Sequence, residues 1–175
     1  MKQLIGFLKK HVIWSAEKYA RHSGVKIGKD CRIYTVRFGS EPFLISIGNH
    51  CTITSGVTFI THDGSTWLHR DEKGRRYYYA PIEIGNDVFI GANTLILPGI
   101  KIEDNVIVGA GSILTKSVPS GVIVAGNPAK IIGSYDELKR KRLETFISDK
   151  EMDKSIIYKE RILKVVQGFK PFMKK

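Results

Sequence analysis

Five histidines are the chain's candidates for moving a proton near neutral pH: His11, His22, His50, His62 and His69. Their surroundings differ. His11 and His22 lie in or just past a stretch with helical spacing, and His50 occupies a turn between short apolar segments. His69 falls inside residues 63–81, which are polar, basic and aromatic. His62 stands at a junction, Ile60-Thr61-His62-Asp63, where a regular pattern gives way to that irregular stretch. A side chain there is held from below by the regular part and covered from above by the rest. General-base chemistry needs that fixed geometry and a pKa close to neutrality. The plainer reading is a polar residue capping the last regular segment. Neighbours in extended chain point to opposite faces, so Asp63 reads as a turn former rather than as the carboxylate that orients His62. Three of the histidines, His50, His62 and His69, also supply the count for a zinc site. Two cysteines, Cys31 and Cys51, are too few for a four-cysteine zinc site or a disulfide framework.

The regular pattern has a period of six. An aliphatic residue recurs at Ile84, Ile90, Ile96, Ile102, Val108 and Leu114, and Gly85, Gly91 and Gly109 follow it. Four places on comes a second apolar or small residue: Val88, Thr94, Ile100, Val106, Ser112, Val118. The same phase appears earlier at Ile27, Ile33, Ile47, Ile53 and Phe59, with Cys31, Cys51 and Val57 as companions. Six is even, which suits strands, whose side chains alternate between faces. On a helix the same residues would drift by about 240° per repeat. Asn86-Asp87, Asp104-Asn105 and Ala110-Gly111 supply turns that tolerate positive φ. Each hexapeptide therefore forms one flat side of a coil, three sides close it, and the inward aliphatics stack into a column. Residues 63–81 carry no such phase and must loop out, and loops of that length are usually functional.

Both ends read as helical. Ile5, Leu8, Val12, Ala16 and Tyr19 follow helical spacing over 2–21. Ser134 and Glu137 form a capping box opening a helix with Leu138, Leu143, Phe146 and Ile147. A further helix follows Ser148-Asp149 and runs to about Gln167. The expected organisation is an amphipathic helix over 1–26, a β-solenoid over 27–133 with the loop 63–81 protruding, and a basic helical extension over 134–175.

The order of motifs resembles the hexapeptide-repeat acyltransferases, nearest to maltose- and galactoside-type sugar O-acetyltransferases and to enzymes acting on bacterial surface polysaccharide. The residues that carry the resemblance are His62 before the loop and the return Tyr78-Tyr79-Ala80-Pro81-Ile82-Glu83-Ile84-Gly85. Downstream come Ile90-Gly91-Ala92, Leu97-Pro98-Gly99, Val108-Gly109-Ala110-Gly111-Ser112, Thr115-Lys116 and Ala125-Gly126-Asn127-Pro128-Ala129-Lys130. The resemblance implies a left-handed parallel β-helix; general chirality of parallel crossovers favours the right hand. It implies His62 as catalytic base, acetyl-CoA as co-substrate without a metal, and a homotrimer with the cofactor in grooves between subunits. It carries cofactor contacts to Gly91, Ala92, Ala110, Thr115, Lys116, Asn127, Pro128 and Lys130, with Lys116 and Lys130 at the phosphates. Ala92 stands where several relatives have Ser, Lys130 where they often have Arg, and Gly133 where a second Arg is common. The family's acceptor-binding Asp and Asn have no clear match; Glu41 is the nearest acid in the first coils. Trp67 and Tyr79 could stack on a sugar ring or pack at a subunit contact. Arg75 and Arg76 could read an acidic sugar or a diphosphate, or simply be solvated.

The chemistry implied is direct transfer. A sugar hydroxyl is a poor nucleophile until a neutral histidine takes its proton, and backbone N–H groups near Gly91-Ala92 would stabilise the oxyanion formed at the thioester. An amino group on a nucleotide-linked sugar is the alternative acceptor. A zinc-dependent, carbonic-anhydrase-like β-helix and a non-enzymatic binding helix are the rival classes. The first leaves the Thr-Lys pair and the Asn-Pro-Ala-Lys end without a role, and the second leaves the histidine-bearing loop unexplained.

Composition narrows the partners. The chain has 175 residues, enough for one domain, with 42% hydrophobic and 26% charged residues. No apolar run reaches the length of a membrane span, and Lys9, Lys10 and His11 interrupt any secretory core. Free thiols fit the cytoplasm. The net charge of +11 suggests nucleic acid until its distribution is considered: residues 1–26 carry +5, residues 134–175 another +5, and 27–133 only +1. A neutral body with basic ends speaks against nucleic acid and for anionic partners near the ends. Peripheral contact with the inner face of the membrane is one expectation. The competing one has the N-terminal helix covering the open end of the column.

Overall fold

The computed structural model describes residues 14–171. The chain winds as a parallel β-helix whose sides are two- and three-residue strands. One face stacks β1 (Lys26–Ile27), β3 (Ile45–Ile47), β8 (Ile82–Ile84) and β11 (Lys101–Ile102), with Ile27, Ile47, Ile84 and Ile102 in register. The second stacks β2 (Arg32–Ile33), β4 (Thr52–Ile53), β9 (Phe89–Ile90), β12 (Ile107–Val108) and β14 (Val122–Gly126). The third stacks β5 (Thr58–Phe59), β10 (Leu95–Ile96) and β13 (Ile113–Leu114), aligning Phe59, Ile96 and Leu114. The hand is left, as in the hexapeptide-repeat solenoids.

The six-residue phase explains this stacking. Ile53, Ile82, Ile90, Ile96, Ile102 and Val108 are completely buried, while the strand positions just before Ile90 and Ile102, Phe89 and Lys101, face outward. The companion slots Val88, Thr94, Ile100, Val106, Ser112 and Val118 are buried as well. Where that slot is polar, it satisfies a coil carbonyl: Thr94 Oγ1 donates to Gly91 O (2.7 Å) and Ser112 Oγ to Gly109 O (2.6 Å). Asp87, Asn93 and Asn105 take positive φ at the corners. Along one corner a side-chain ladder rises through the coils. Asn49 Oδ1 accepts from Lys29 N (2.9 Å), Asn86 Oδ1 from Asn49 N (2.9 Å), and Asp104 Oδ1 from Asn86 N (2.6 Å). Gly48 is required beside it, because a Cβ there would run into the Gly85 carbonyl of the next coil.

Helix α1 (Ala16–Ser23) precedes the first coil. Ser15 accepts from Lys18 N (3.2 Å) at its start, and Gly24, with φ 106°, closes its end. Ala16, Tyr19 and Ala20 pack on the core, and Arg21 donates to the Ile27 and Gly28 carbonyls at 2.6 and 2.7 Å. The helix expected over 2–21 thus has α1 as its described part; Ile5, Leu8 and Val12 lie outside the described residues.

At the far end the six-residue phase was read on to 133, but the chain turns back. β15 (Ala129–Ser134) pairs antiparallel with β14, and the Asn127-Pro128 peptide between them is cis. A second compact unit spans Asp136–Lys175. It holds most of α2 (Tyr135–Thr145) and all of α3 (Tyr158–Val165). Both helices are shorter than the spacing suggested. Phe146 and Ile147 fall past the end of α2. The stretch expected to start α3 early binds its own backbone instead: Glu151 Oε2 accepts from Ser148 N (2.7 Å) and Asp153 Oδ1 from Ser155 N (3.1 Å). Ser and Asp compete with helix formation in just this way.

Alternation along β11 makes a test. Ile102→Ala should cost about 2–5 kcal/mol of stability through the cavity it leaves, whereas Lys101→Ala should stay within about 0.5 kcal/mol. Denaturant unfolding of the two variants measures both, and similar losses would contradict the inward–outward assignment.

Candidate active site

His62 sits in the neck of the long loop, and backbone pairing fixes that neck. Ala80 N donates to Thr61 O (2.9 Å), Asp63 N donates to Tyr78 O (3.1 Å), and His62 bridges Tyr79 antiparallel. Below, Ile60 N bonds Ile96 O (3.0 Å), so the histidine follows directly from the third face of the column. Beyond the neck the loop is ordered by its own contacts. Asp63 Oδ1 accepts from Ser65 N (2.9 Å) and opens a short 3-10 turn over Gly64–Leu68. A small hairpin follows, of β6 (Arg70–Asp71) and β7 (Gly74–Arg75). Asp63 is thus the turn former its position suggested.

The carboxylate that meets His62 is Glu41. Its Oε2 lies 2.9 Å from His62 Nδ1 and accepts from Thr61 Oγ1 at 2.6 Å. Glu41 was expected at the acceptor; the structure turns it to the histidine. It comes from an excursion of the first coil, where Gly39 and Pro42 lead the chain out and back between Phe38 and Ile45. The signal was a length. Phe38 stacks on Phe59 at 5.3 Å but precedes it by 21 residues, whereas Ile96 precedes Leu114 by 18. The Thr61 hydroxyl, and secondarily His62, hold the Glu41 carboxyl below its usual range against the opposing effect of burial.

A carboxylate at Nδ1 selects the tautomer with its proton on Nδ1 and leaves Nε2 as the basic nitrogen. Nε2 has no hydrogen-bond partner among the described residues, and the His62 side chain is 38% exposed against 17% for Glu41. The Tyr79 ring lies 5.9 Å away, tilted. A hollow of about 560 Å³ opens beside the imidazole, lined by Thr61, Phe38, Gly39, Arg37 and Tyr19 among others. That volume suits a small molecule. The arrangement can take a proton from a group bound in the hollow. Burial pushes the Cys51 thiol up to about 11, which leaves that side chain an inert member of the core.

The residues expected at the cofactor gather higher on the same column. Leu97 N bonds Leu114 O (3.2 Å), so Thr115 and Lys116 leave the third face two coils above His62. At the spacing of paired strands that is roughly 10 Å. Thr115, Lys116 and Ala129 share a second hollow of about 170 Å³, next to the exposed Asn127, Pro128 and Lys130. At Gly91 a Cβ would collide with the Ala110 amide, so the two coils are in closest contact there. The Ala92 carbonyl accepts from Gly111 N (2.8 Å), while the amide N–H groups of Ala92 and Ala110 donate to no other described residue. Trp67 lies out on the loop, 56% exposed. His50 contacts Asp87 (2.6 Å between Nδ1 and Oδ1), and His69 lies on the loop. Among the described residues no three His, Cys, Asp or Glu side chains are grouped to hold a metal ion.

A parallel β-helix with a carboxylate-held histidine in the neck of an inserted loop defines a class of solenoid proteins. The comparisons with known proteins agree. The profile of the hexapeptide repeat of succinyl-transferase matches residues 81–116. Protein CapG of Staphylococcus aureus is 46% identical over 158 residues, spanning 89% of this chain and 90% of its own. Galactoside O-acetyltransferase of Escherichia coli is 37% identical over 97 residues, 55% of this chain and 47% of its own. Among solved structures, a hexapeptide-repeat-containing acetyltransferase from Vibrio cholerae superposes with a TM-score of 0.62 at 24% identity, covering 76% of this chain and 88% of its own. The chain belongs to the hexapeptide-repeat acyltransferases.

The Thr61–Glu41 bond makes stability depend on acid. A carboxyl whose pKa is lowered by folding contributes stability above the ordinary carboxylate range, and that contribution is lost as pH falls through the depressed value. Thr61→Val should therefore destabilise the protein at pH 7, by about 1–3 kcal/mol for the lost hydroxyl bond, and the gap to wild type should narrow towards pH 3. Urea unfolding at both pH values checks this; a gap that does not change with pH would contradict it.

Proposed function

We propose that the chain is an acetyl-CoA-dependent O-acetyltransferase that modifies a sugar hydroxyl, with His62 as general base, in the assembly of bacterial surface polysaccharide. The observation that carries the chemistry is the Glu41–His62 pair, with Nδ1 occupied and His62 lining a hollow of small-molecule size. The relationship to CapG and to a galactoside O-acetyltransferase supports acetyl transfer to a carbohydrate. Nε2 takes the proton as the hydroxyl oxygen attacks the thioester carbonyl, and the thiol of coenzyme A leaves. The unpaired amides at Ala92 and Ala110 suit the carbonyls of the pantetheine arm, or the oxyanion as it forms. Lys116 and Lys130 would meet the phosphates, with Thr115, Asn127 and Pro128 shaping the site between them. Glu41 acts through His62 as a positioning residue.

Two further parts of the proposal rest on the whole molecule. The working unit is a trimer, with cofactor held between the solenoids of adjacent copies. The organisation is a solenoid domain over 27–133, closed by the antiparallel β14–β15 pair, between basic ends. Those ends suit an anionic membrane face. Among the described residues no helix is long and apolar enough to cross a membrane.

His62→Ala should lower acetyl transfer by about 10²–10⁴-fold while leaving coenzyme A binding and melting temperature near wild type. Retention of more than about a tenth of the activity would remove His62 from the role. Glu41→Gln should lower kcat with little change in KM for acetyl-CoA, and it should shift the acid limb of the pH–rate profile. Light scattering at micromolar concentration should give three times the chain mass; a monomer that is fully active would contradict the shared cofactor site.

A further inference from the structure

The protruding loop holds two guanidinium groups that nothing in the described structure neutralises. Arg70 Cζ lies 4.3 Å from the centre of the Trp67 ring and Arg75 Cζ lies 4.9 Å from the same ring. Arg75 is also 4.6 Å from the Tyr77 ring, so its guanidinium is stacked between two aromatic faces. Stacking uses the flat face of a guanidinium and leaves its in-plane N–H donors unspent. Neither arginine side chain makes a hydrogen bond or ion pair with a described residue, and Arg75 Nε is buried without a partner. The carboxylates nearby in sequence do not supply the missing charge. Asp71 pairs with Arg76 and Asp63 caps the 3-10 turn. Glu72 pairs with neither arginine. Two like charges on one ring repel each other, and a buried N–H without an acceptor costs free energy. An oxyanion placed between them relieves both.

The same cluster is connected to the base. Tyr77 stacks on Tyr79 with ring centres 6.3 Å apart and planes 9° from parallel, and Tyr79 lies 5.9 Å from the His62 ring. A row of faces thus runs from His62 through Tyr79 and Tyr77 to Arg75, Trp67 and Arg70. Sugar rings present C–H faces that pack on aromatic rings, and a carboxylate or phosphate presents the acceptors that a fixed guanidinium matches.

We infer that the loop is an acceptor subsite for an anionic sugar, with Arg75 and Arg70 binding its carboxylate or phosphate and Tyr77 and Tyr79 carrying the ring between that group and His62. This rests on the reading of the chain as a sugar acetyltransferase. It names the substrate class that reading leaves open: a hydroxyl on a sugar bearing a negative charge.

Three probes differ in that charge alone or nearly so: methyl α-glucoside, methyl α-glucuronoside and α-glucose 1-phosphate. Calorimetric titration without acetyl-CoA should show the wild-type protein binding at least one of the anions more tightly than the neutral glycoside, and which one tells carboxylate from phosphate. Arg75→Gln should weaken the preferred anion by about ten- to a hundredfold, the range for a bond to a charged group, and leave the glucoside unchanged. Arg75→Lys keeps the charge but not the planar fork and should recover only part of the loss. His62→Ala should keep the preference intact. KM for acetyl-CoA should not move in either Arg75 variant. The inference is overturned if all three probes bind alike, if Arg75→Gln weakens neutral and anionic probes equally, or if that variant raises KM for acetyl-CoA instead, which would assign the arginines to the cofactor phosphates. Transfer and preference separate the two proposals. Preference without any acetyl transfer defeats the enzymatic reading alone, and transfer without preference defeats this subsite alone.

Discussion

Each inward aliphatic rests on one from the coil below, and the strands that hold them pair in a single register, Ile27 on Ile47 on Ile84 on Ile102. Slipping any coil by one residue would bury Lys101 and expose Ile102, so the register cannot drift. That constraint places everything else. Because the third face is locked at Phe59, Ile96 and Leu114, the segments that leave it at Thr61, Leu97 and Thr115 emerge at one corner, one above another. His62, the return of the loop and the Thr-Lys pair are brought to one corner by packing that none of them takes part in.

The site is built from departures from that regularity. Two insertions interrupt the coils: a short one that carries Glu41 and a long one that carries the aromatic and arginine row. Both open at the level of Phe38 and Phe59, whose rings stack and close the column between them. The short insertion delivers a carboxylate to Nδ1, and the long one closes over the histidine through the His62–Tyr79 bridge. A functional pair 21 residues apart in sequence thus meets at 2.9 Å because both members hang from adjacent coils. Rigid coils supply position, and inserted segments supply chemistry that the coils, committed to backbone pairing and apolar stacking, cannot carry.

How legible this was follows from the same division. The period of six announced the solenoid, since Ile90, Ile102 and Val108 recur too evenly for any other structure to bury them all. The loop was visible as the loss of that period, and its length was visible too: Ile53 and Ile90 are paired neighbours 37 residues apart, where Ile90 and Val108 are 18 apart. His62 was legible from its place at the break. Glu41 was visible as an acid near the first coils but not as the partner of His62, because an insertion of a few residues has no periodicity of its own and its direction is set by packing. The lengths of α2 and α3 were misjudged for a related reason. Ser148, Asp153 and Ser155 lie among apolar residues at helical spacing, and whether such residues propagate a helix or bond to their own backbone is decided by local hydrogen bonds that spacing does not reveal. The left hand came from likeness to a family and not from chirality rules, which favour the other.

Close stacking of coils also shapes the surface at Gly91 and Ala110. Just past the ends of β9 and β12, Gly91 N donates to Val108 O (2.8 Å) and Gly109 N to Val124 O (2.8 Å) on the neighbouring coil. At the next residue the chain turns the corner, and the amides of Ala92 and Ala110 have no partner among the described residues. A larger side chain at Gly91 would push those coils apart, because its Cβ already meets the Ala110 backbone. The small residues therefore do two things together: they let the coils approach, and they form a column in which two amides, one coil rise apart, have no partner among the described residues. An extended ligand with amide groups along its length matches such a column better than a compact one does.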